Sequence, residues 1–135
     1  MLEIRKALMD NLLPAGITVP VYYDQASEKA AYPYIVFSFE QISTQDESSD
    51  TFILDVDGWD NPAGGNTVPL ETTMQTIDGD GNLQNPTGLN EKVIITDTVT
   101  LILRRDQRYA IPDDDKSIKR RRYTYQITVF ERSAS

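Results

Sequence analysis

Val93–Arg104, VIITDTVTLILR, and Arg122–Arg132, RYTYQITVFER, are the two stretches whose reading decides the fold. In the second, Tyr123, Tyr125, Ile127 and Val129 alternate with Thr124, Gln126 and Thr128, the period of two that sends successive side chains to opposite faces of a β-strand. The first sets Val93, Ile95, Val99, Leu101 and Leu103 on one face, interrupted by Asp97, with threonines prominent on the other. Both are rich in β-branched and aromatic residues, which suit a pleated, half-buried surface. Two such strands in succession predict a terminal ribbon. Arg105–Arg121 between them predicts a long loop, of a length that goes with function or with disorder in isolation.

Working back from the ribbon, Tyr34–Ile42 (YIVFSFEQI) follows Pro33 and predicts a strand, because a proline just before a strand removes a donor where it is least needed. Polar residues Ser43–Asp50 predict a turn. Thr51–Trp59 returns with Phe52, Leu54 and Val56 on one face and Thr51, Ile53, Asp55, Asp57 and Trp59 on the other. This reads as an antiparallel hairpin with one wet face. Ile17–Tyr23 (ITVPVYY) is a short β-prone run that Pro20 confines to a sheet edge or an irregular lead-in. Leu2, Ile4, Leu8, Met9, Leu12 and Leu13 recur near a 3.6-residue period, so the chain opens on an amphipathic helix closed by Pro14 and Gly16. A second helix starts after Asn61–Gly65, capped by Thr67 with Pro69 in its first turn, and buries Leu70, Met74 and Ile77. The turn-rich Asp78–Leu89 ends it. The expected architecture is one α+β domain over residues 1–135: an antiparallel sheet of four to five strands with two helices packed on one face and a loop at 105–121.

Composition narrows the chemistry. At 135 residues the chain suits one domain. It has no cysteine and no histidine, which removes disulfides, thiolate nucleophiles, the usual zinc sites and the commonest general base. No apolar run approaches the roughly 20 residues that span a bilayer. Charges at Glu3, Arg5, Lys6 and Asp10 interrupt any signal-peptide centre, so the mature chain is expected to start at or near Met1. The net charge of −8 is uneven: residues 1–103 carry 4 basic and 16 acidic side chains, residues 104–135 carry 9 and 5. An acidic whole argues against general nucleic-acid binding, whose affinity comes from phosphate neutralisation.

Each candidate motif has a plainer reading. Asp78-Gly-Asp-Gly-Asn82 has the alternating oxygens of a calcium loop, but Leu83 stands where the turn glycine belongs and Leu89 where the closing glutamate belongs. A helix-ending turn explains it better. Gly64-Gly65-Asn66 lacks the Lys-Ser or Lys-Thr of a phosphate loop. Asp55 and Asp57, alternate residues of one strand face, are the pair a carboxylate-dependent hydrolase would use; solvation and edge protection explain them more simply. Arg120–Arg122 are what a small nucleic-acid module would use, and a salt titration of binding would expose such contacts. Trp59, at a strand end, suits the core or an interface anchor. Asp113–Asp115 beside Lys116, Lys119 and Arg120–Arg122 make a loop of both charge signs, suited to pairing with a neighbour.

The order of segments resembles the tail terminator or tail completion proteins of long-tailed bacteriophages. The resemblance runs over nearly the whole chain: the opening helix, then VPVYYDQA (Val19–Ala26), YPYIVFSFEQ (Tyr32–Gln41), a strand ending in DGWDN (Asp57–Asn61), a second helix, and IPDDDKSIKRRRYTYQITVFE (Ile111–Glu131). Its most telling pieces are Pro33-Tyr34, Trp59-Asp60-Asn61 and Tyr123 with Tyr125. The resemblance implies an α+β subunit of the virion, made in the host cytoplasm and set as a hexameric ring on the head-proximal end of the tail. There it would stop tube polymerisation and join tail to head. The implied partners are the tail-tube protein, a head-completion or stopper protein, and further copies of itself; DNA would pass through the ring without specific binding, and no membrane is involved. The expected function is assembly without catalysis, cofactor or metal. Candidate interface residues are Trp59, Arg108, Tyr109, Asp113, Asp114, Lys119, Arg120, Arg121 and Arg122. Another neck or connector subunit is the alternative within the virion.

Overall fold

The computed structural model describes residues 2–12, 17–44 and 49–131, the side chains at 43 and 44 excepted. Helix α1 (Leu2–Asn11) is followed by strands β1 (Val21–Tyr23), β2 (Tyr34–Thr44) and β3 (Ser49–Asp60), helix α2 (Val68–Asp78), and strands β4 (Val93–Ile95), β5 (Val99–Ala110) and β6 (Lys119–Glu131). The strands form one sheet in the order β1-β2-β3-β6-β5-β4. The α+β class is as expected, but the sheet has six strands and is mixed, because β1 runs parallel to β2.

Two local causes account for the difference. Pro20 does confine its run to an edge, and its carbonyl accepts the Ile35 N–H at 2.9 Å, which leads β1 into a parallel register with Val21 opposite Ile35. Farther along, Val93–Arg104 is two strands. The Thr96 hydroxyl accepts the N–H groups of Thr98 and Val99 at 3.3 and 3.1 Å and reverses the chain around Asp97. Facing does not carry across that turn: Ile94 is buried, whereas Val93 and Ile95 lie on the opposite face, 51% and 65% exposed.

The 105–121 loop is the largest correction. Hydrogen-bonded pairing continues to Ala110 opposite Arg121, and only residues 111–118 connect the strands. Charged residues on both faces hide this extension from any apolar periodicity. A register shift between Arg105 and Gln107 also inverts the facing, so that Arg105 shares a face with Tyr125 but Arg108, three residues on, shares one with Tyr123.

Helix α1 contributes Ile4, Ala7, Leu8 and Leu12 to the core; Leu2 and Met9, expected on its apolar face, are 76% and 39% exposed. Leu13, Pro14 and Gly16 lie outside the described residues. Helix α2 buries Leu70, Met74 and Ile77 as expected. Its first turn is capped by Asn66, whose Oδ1 accepts the Val68 N–H at 3.1 Å, while the Thr67 side chain makes no capping bond. Both helices join Phe37, Leu54, Val56, Leu103, Tyr125 and Ile127 in one core on one face of the sheet. Gly58 lets α2 sit close: a Cβ there would lie 2.6 Å from Met74 Sδ and 2.9 Å from Leu70 Cδ1.

Candidate functional site

Paired residues in adjacent strands point the same way, so Gly58 under α2 fixes the facing of its neighbours. Asp57 and Trp59 point away from the helices, and so do Arg122 and Arg120, which lie directly opposite them in β6. Among the described residues, no helix covers this second face. Its charged centre is Asp57, buried despite lying on the side away from the core. Arg122 donates from Nε to Asp57 Oδ1 at 2.7 Å and from Nη2 to Oδ2 at 2.9 Å. Arg120 donates to Asp57 Oδ2 from both Nε and Nη2. Two guanidiniums thus fork onto one carboxylate and exclude water from it. The bond to Asp57, first, holds the Arg122 guanidinium well above its ordinary pKa.

Beside this cluster the face is aromatic. Arg120 Cζ lies 4.3 Å from the Trp59 ring centroid, a cation–π placement. Trp59 stacks on Tyr34 across the β2–β3 pair with centroids 6.1 Å apart and planes 19° apart. Tyr34 stacks in turn on Tyr32 at 5.2 Å and takes the edge of Tyr22 at 5.9 Å. Burial, with Tyr32 close by, pushes the Tyr34 phenol upward. Tyr109, directly opposite Arg122 in β5, lies on the same face and is 42% exposed. Near it Asp55 is half-buried, and burial, more than the neighbouring Asp57, raises its carboxyl above the ordinary range.

The nine candidate residues therefore fall in three places. Trp59, Tyr109, Arg120 and Arg122 share the open face. Arg121 and Arg108 point to the helix side, where Arg121 Nε lies 3.2 Å from Glu71 Oε1 of α2. Lys119, Asp113 and Asp114 sit at the end of the ribbon; Lys119 Nζ donates to the Lys116 carbonyl at 2.9 Å, and Asp113 Oδ1 accepts the Asp115 N–H at 2.9 Å. Asp57 is neither solvated nor at an edge, because β3 is a central strand. Both its oxygens are taken by arginines, which leaves them poorly placed for acid–base work with Asp55. Tyr34 as the ring partner of Trp59, with Tyr22 and Tyr32 packed on Tyr34 in turn, is not legible in the sequence, where only the run Tyr32-Pro33-Tyr34 hints at it.

On the core side, Asp78 closes α2 as a buried anchor. Its Oδ1 accepts the Tyr125 hydroxyl at 2.8 Å and its Oδ2 meets Arg105 Nη1 at 2.5 Å. Burial, then the Asp78 charge, drives the Tyr125 phenol far above its ordinary pKa. Asp80 instead ties the following turn together, accepting the N–H groups of Asn82 and Thr87 at 3.1 and 3.3 Å. Asp78 and Asp80 thus serve different ends, and no group of three or more acidic side chains fit for a metal occurs among the described residues. Helix α2 ends at Asp78 with Gly79 as its C-cap, so this stretch forms a helix-ending turn. No protein-family model matches this chain, and no curated protein matches it significantly.

Proposed function

We propose that this chain is a structural subunit of a bacteriophage virion that caps the head-proximal end of the tail tube, halts its polymerisation and joins the tail to the head. The observation that carries the assembly reading is the sheet face left without a helical cover, with Trp59, Tyr34 and Tyr109 set beside two arginines fixed on a buried carboxylate. Stacked aromatics and arginines on a rigid sheet are the side chains that dominate protein interfaces, and fixing their rotamers in advance lowers the entropy lost on docking. Engagement of both Asp57 oxygens by arginine favours this over hydrolysis by Asp55 and Asp57. The choice of the tail rests on the order of segments set out above. On this reading the tail-tube protein, a head-completion protein and further copies of the chain are the partners, and DNA passes without specific contact, consistent with a net charge of −8.

Electron microscopy of virions made without the protein tests the assignment. Tails of uncontrolled length are expected. Tails of normal length that fail to attach to heads would instead favour a connector subunit, and intact infectious particles would remove the protein from the virion altogether.

A further inference from the structure

Two tyrosines of β6 face the helices, and they are served differently. Tyr125 donates its hydroxyl proton to Asp78 at 2.8 Å. Tyr123 is also buried, 7% exposed, yet among the described residues no acceptor takes its hydroxyl proton. A donor this far from bulk water is normally paired, because desolvating it unpaired is costly. The hydroxyl is not sealed in as Thr51 Oγ1 is, and Tyr123 lines a hollow of about 340 Å³ between the outer half of the ribbon and α2. Burial pushes the phenol above its ordinary pKa, with the Arg108 charge opposing, so the group stays a proton donor at neutral pH.

Two guanidiniums line the same hollow. Arg108 lies directly opposite Tyr123 and Ala110 directly opposite Arg121, so the two arginines are diagonal neighbours across the β5–β6 pair, with the small side chain of Ala110 leaving room between them. Glu71 and Gln75, one turn apart on α2, make the facing wall. Glu71 takes Arg121 Nε at 3.2 Å and the Arg120 carbonyl takes Nη1 at 3.2 Å, which leaves Arg121 Nη2 without an acceptor among the described residues. No carboxylate among those residues lies within ion-pairing distance of Arg108. Arg120 is neutralised by Asp57 on the other face of the sheet and takes no part. The hollow therefore holds one guanidinium in excess: Arg108 and Arg121 against Glu71.

We propose that this hollow is a binding site for a carboxylate, gripped by the Arg108 fork and completed by hydrogen bonds from the Tyr123 hydroxyl and Arg121 Nη2. A guanidinium presents paired N–H groups that match the two oxygens of a carboxylate, and Glu71 on Arg121 is an example already in the wall. Charge selects between oxyanions. One negative charge balances the single guanidinium in excess, whereas the second charge of a phosphate would stand unmatched beside Glu71. The carboxylate arrives on a small organic acid or on an acidic side chain of another protein, and the same donors serve either. The site faces the helix side, away from Trp59, and holds whether or not the chain belongs to a virion, so the two readings fail separately.

Titration of the full chain followed by NMR at constant ionic strength tests it, with propionate, a blocked tripeptide carrying a central glutamate, and inorganic phosphate as the three probes. Saturable shifts of the Arg108 and Arg121 Nε–H and of the Tyr123 ring are expected with both carboxylates, and weaker ones with phosphate. A tripeptide bound more tightly than propionate assigns the carboxylate to a protein segment; equal affinities assign it to a small acid. R108Q and Y123F should each weaken binding by about tenfold, as the loss of a hydrogen bond to a charged group does. E71Q should tighten it by releasing Arg121 Nε, a gain that an unfolded variant could not give. The absence of saturable shifts with either carboxylate overturns the proposal. So does wild-type affinity in R108Q, and so does phosphate bound at least as tightly as the carboxylates.

Discussion

Asp57 sits among groups that stabilise it only collectively. Its carboxylate is buried on a face without a helical cover, and that burial is supplied by the stems and guanidiniums of Arg120 and Arg122. Removing one member of such a cluster strands the others. D57A is expected to leave two half-buried cations facing each other, at the lower end of the about 3–5 kcal/mol typical of broken buried pairs because both arginines keep some contact with water. Urea denaturation measures it, and a midpoint within error of wild type would show that water replaces the carboxylate without loss. Asp55 behaves oppositely. Its folded pKa is raised, so the folded state holds the proton more tightly than the unfolded chain does; the resulting stability is present below the ordinary carboxylate range and is lost as pH rises through the raised value. D55N should therefore be at least as stable as wild type at neutral pH, with its advantage shrinking on acidification through that window. Stability curves of both proteins from neutral to acid pH check the sign. On the core side, Y125F removes the hydroxyl that donates to Asp78 and should cost about 1–2 kcal/mol, because Arg105 still serves the other oxygen.

At the scale of the element, the decisive contact is that of α2 with β3. Gly58 has ordinary backbone freedom but no room: Met74 Sδ and Leu70 Cδ1 occupy the space a methyl would need. G58A is expected to cost about 1–3 kcal/mol as an overpacked core site, and M74A by itself to leave a cavity costing about 2–5 kcal/mol. Combined, the two should cost less than their sum, since the new methyl enters the space the sulfur vacates. A double-mutant cycle by chemical denaturation reads this coupling, and strict additivity would mean that the helix has shifted instead. The elements themselves were largely legible because β2, β3, β6 and α2 carry their burial as periodicity. Short-range polar devices were not, since Thr96 makes its turn with a residue type also common in strands. The outer half of the ribbon was missed for a related reason: Arg105–Ala110 and Lys119–Arg122 pair through backbone while their side chains declare no inside. The site was legible in its residues but not in its grouping. Arg120 and Arg122 part from Arg121 simply by alternation, yet choosing Asp57 as their partner requires the β3–β6 register, which joins positions more than 60 apart in sequence.

Across the whole molecule, the charge asymmetry of the sequence is mostly internal. Arg104, Arg105, Arg120, Arg121 and Arg122 all belong to the basic C-terminal stretch, and their carboxylate partners Glu91, Asp78, Asp57 and Glu71 all belong to the acidic remainder. The arginines that looked available for docking thus also tie the final strand pair to the rest of the domain. What remains for contact at that end is the connection at 111–118 with Arg108 and Lys119. Scaffold and contact surface should therefore separate cleanly. Replacing Asp113–Ser117 by Asn-Gly, a two-residue turn suited to a hairpin, leaves every ion pair named above and the whole buried core in place. Shortening a surface connection changes closure entropy by only about 0.6 kcal/mol per halving of its length, so the unfolding midpoint should stay close to wild type. Joining of heads to tails should nevertheless fall, because the variant loses Asp113, Asp114 and Lys116 from the connection between β5 and β6. Particle assembly in extracts supplied with the variant measures this, and a shortened ribbon that joins heads and tails as well as wild type would place the contact on the open face around Trp59.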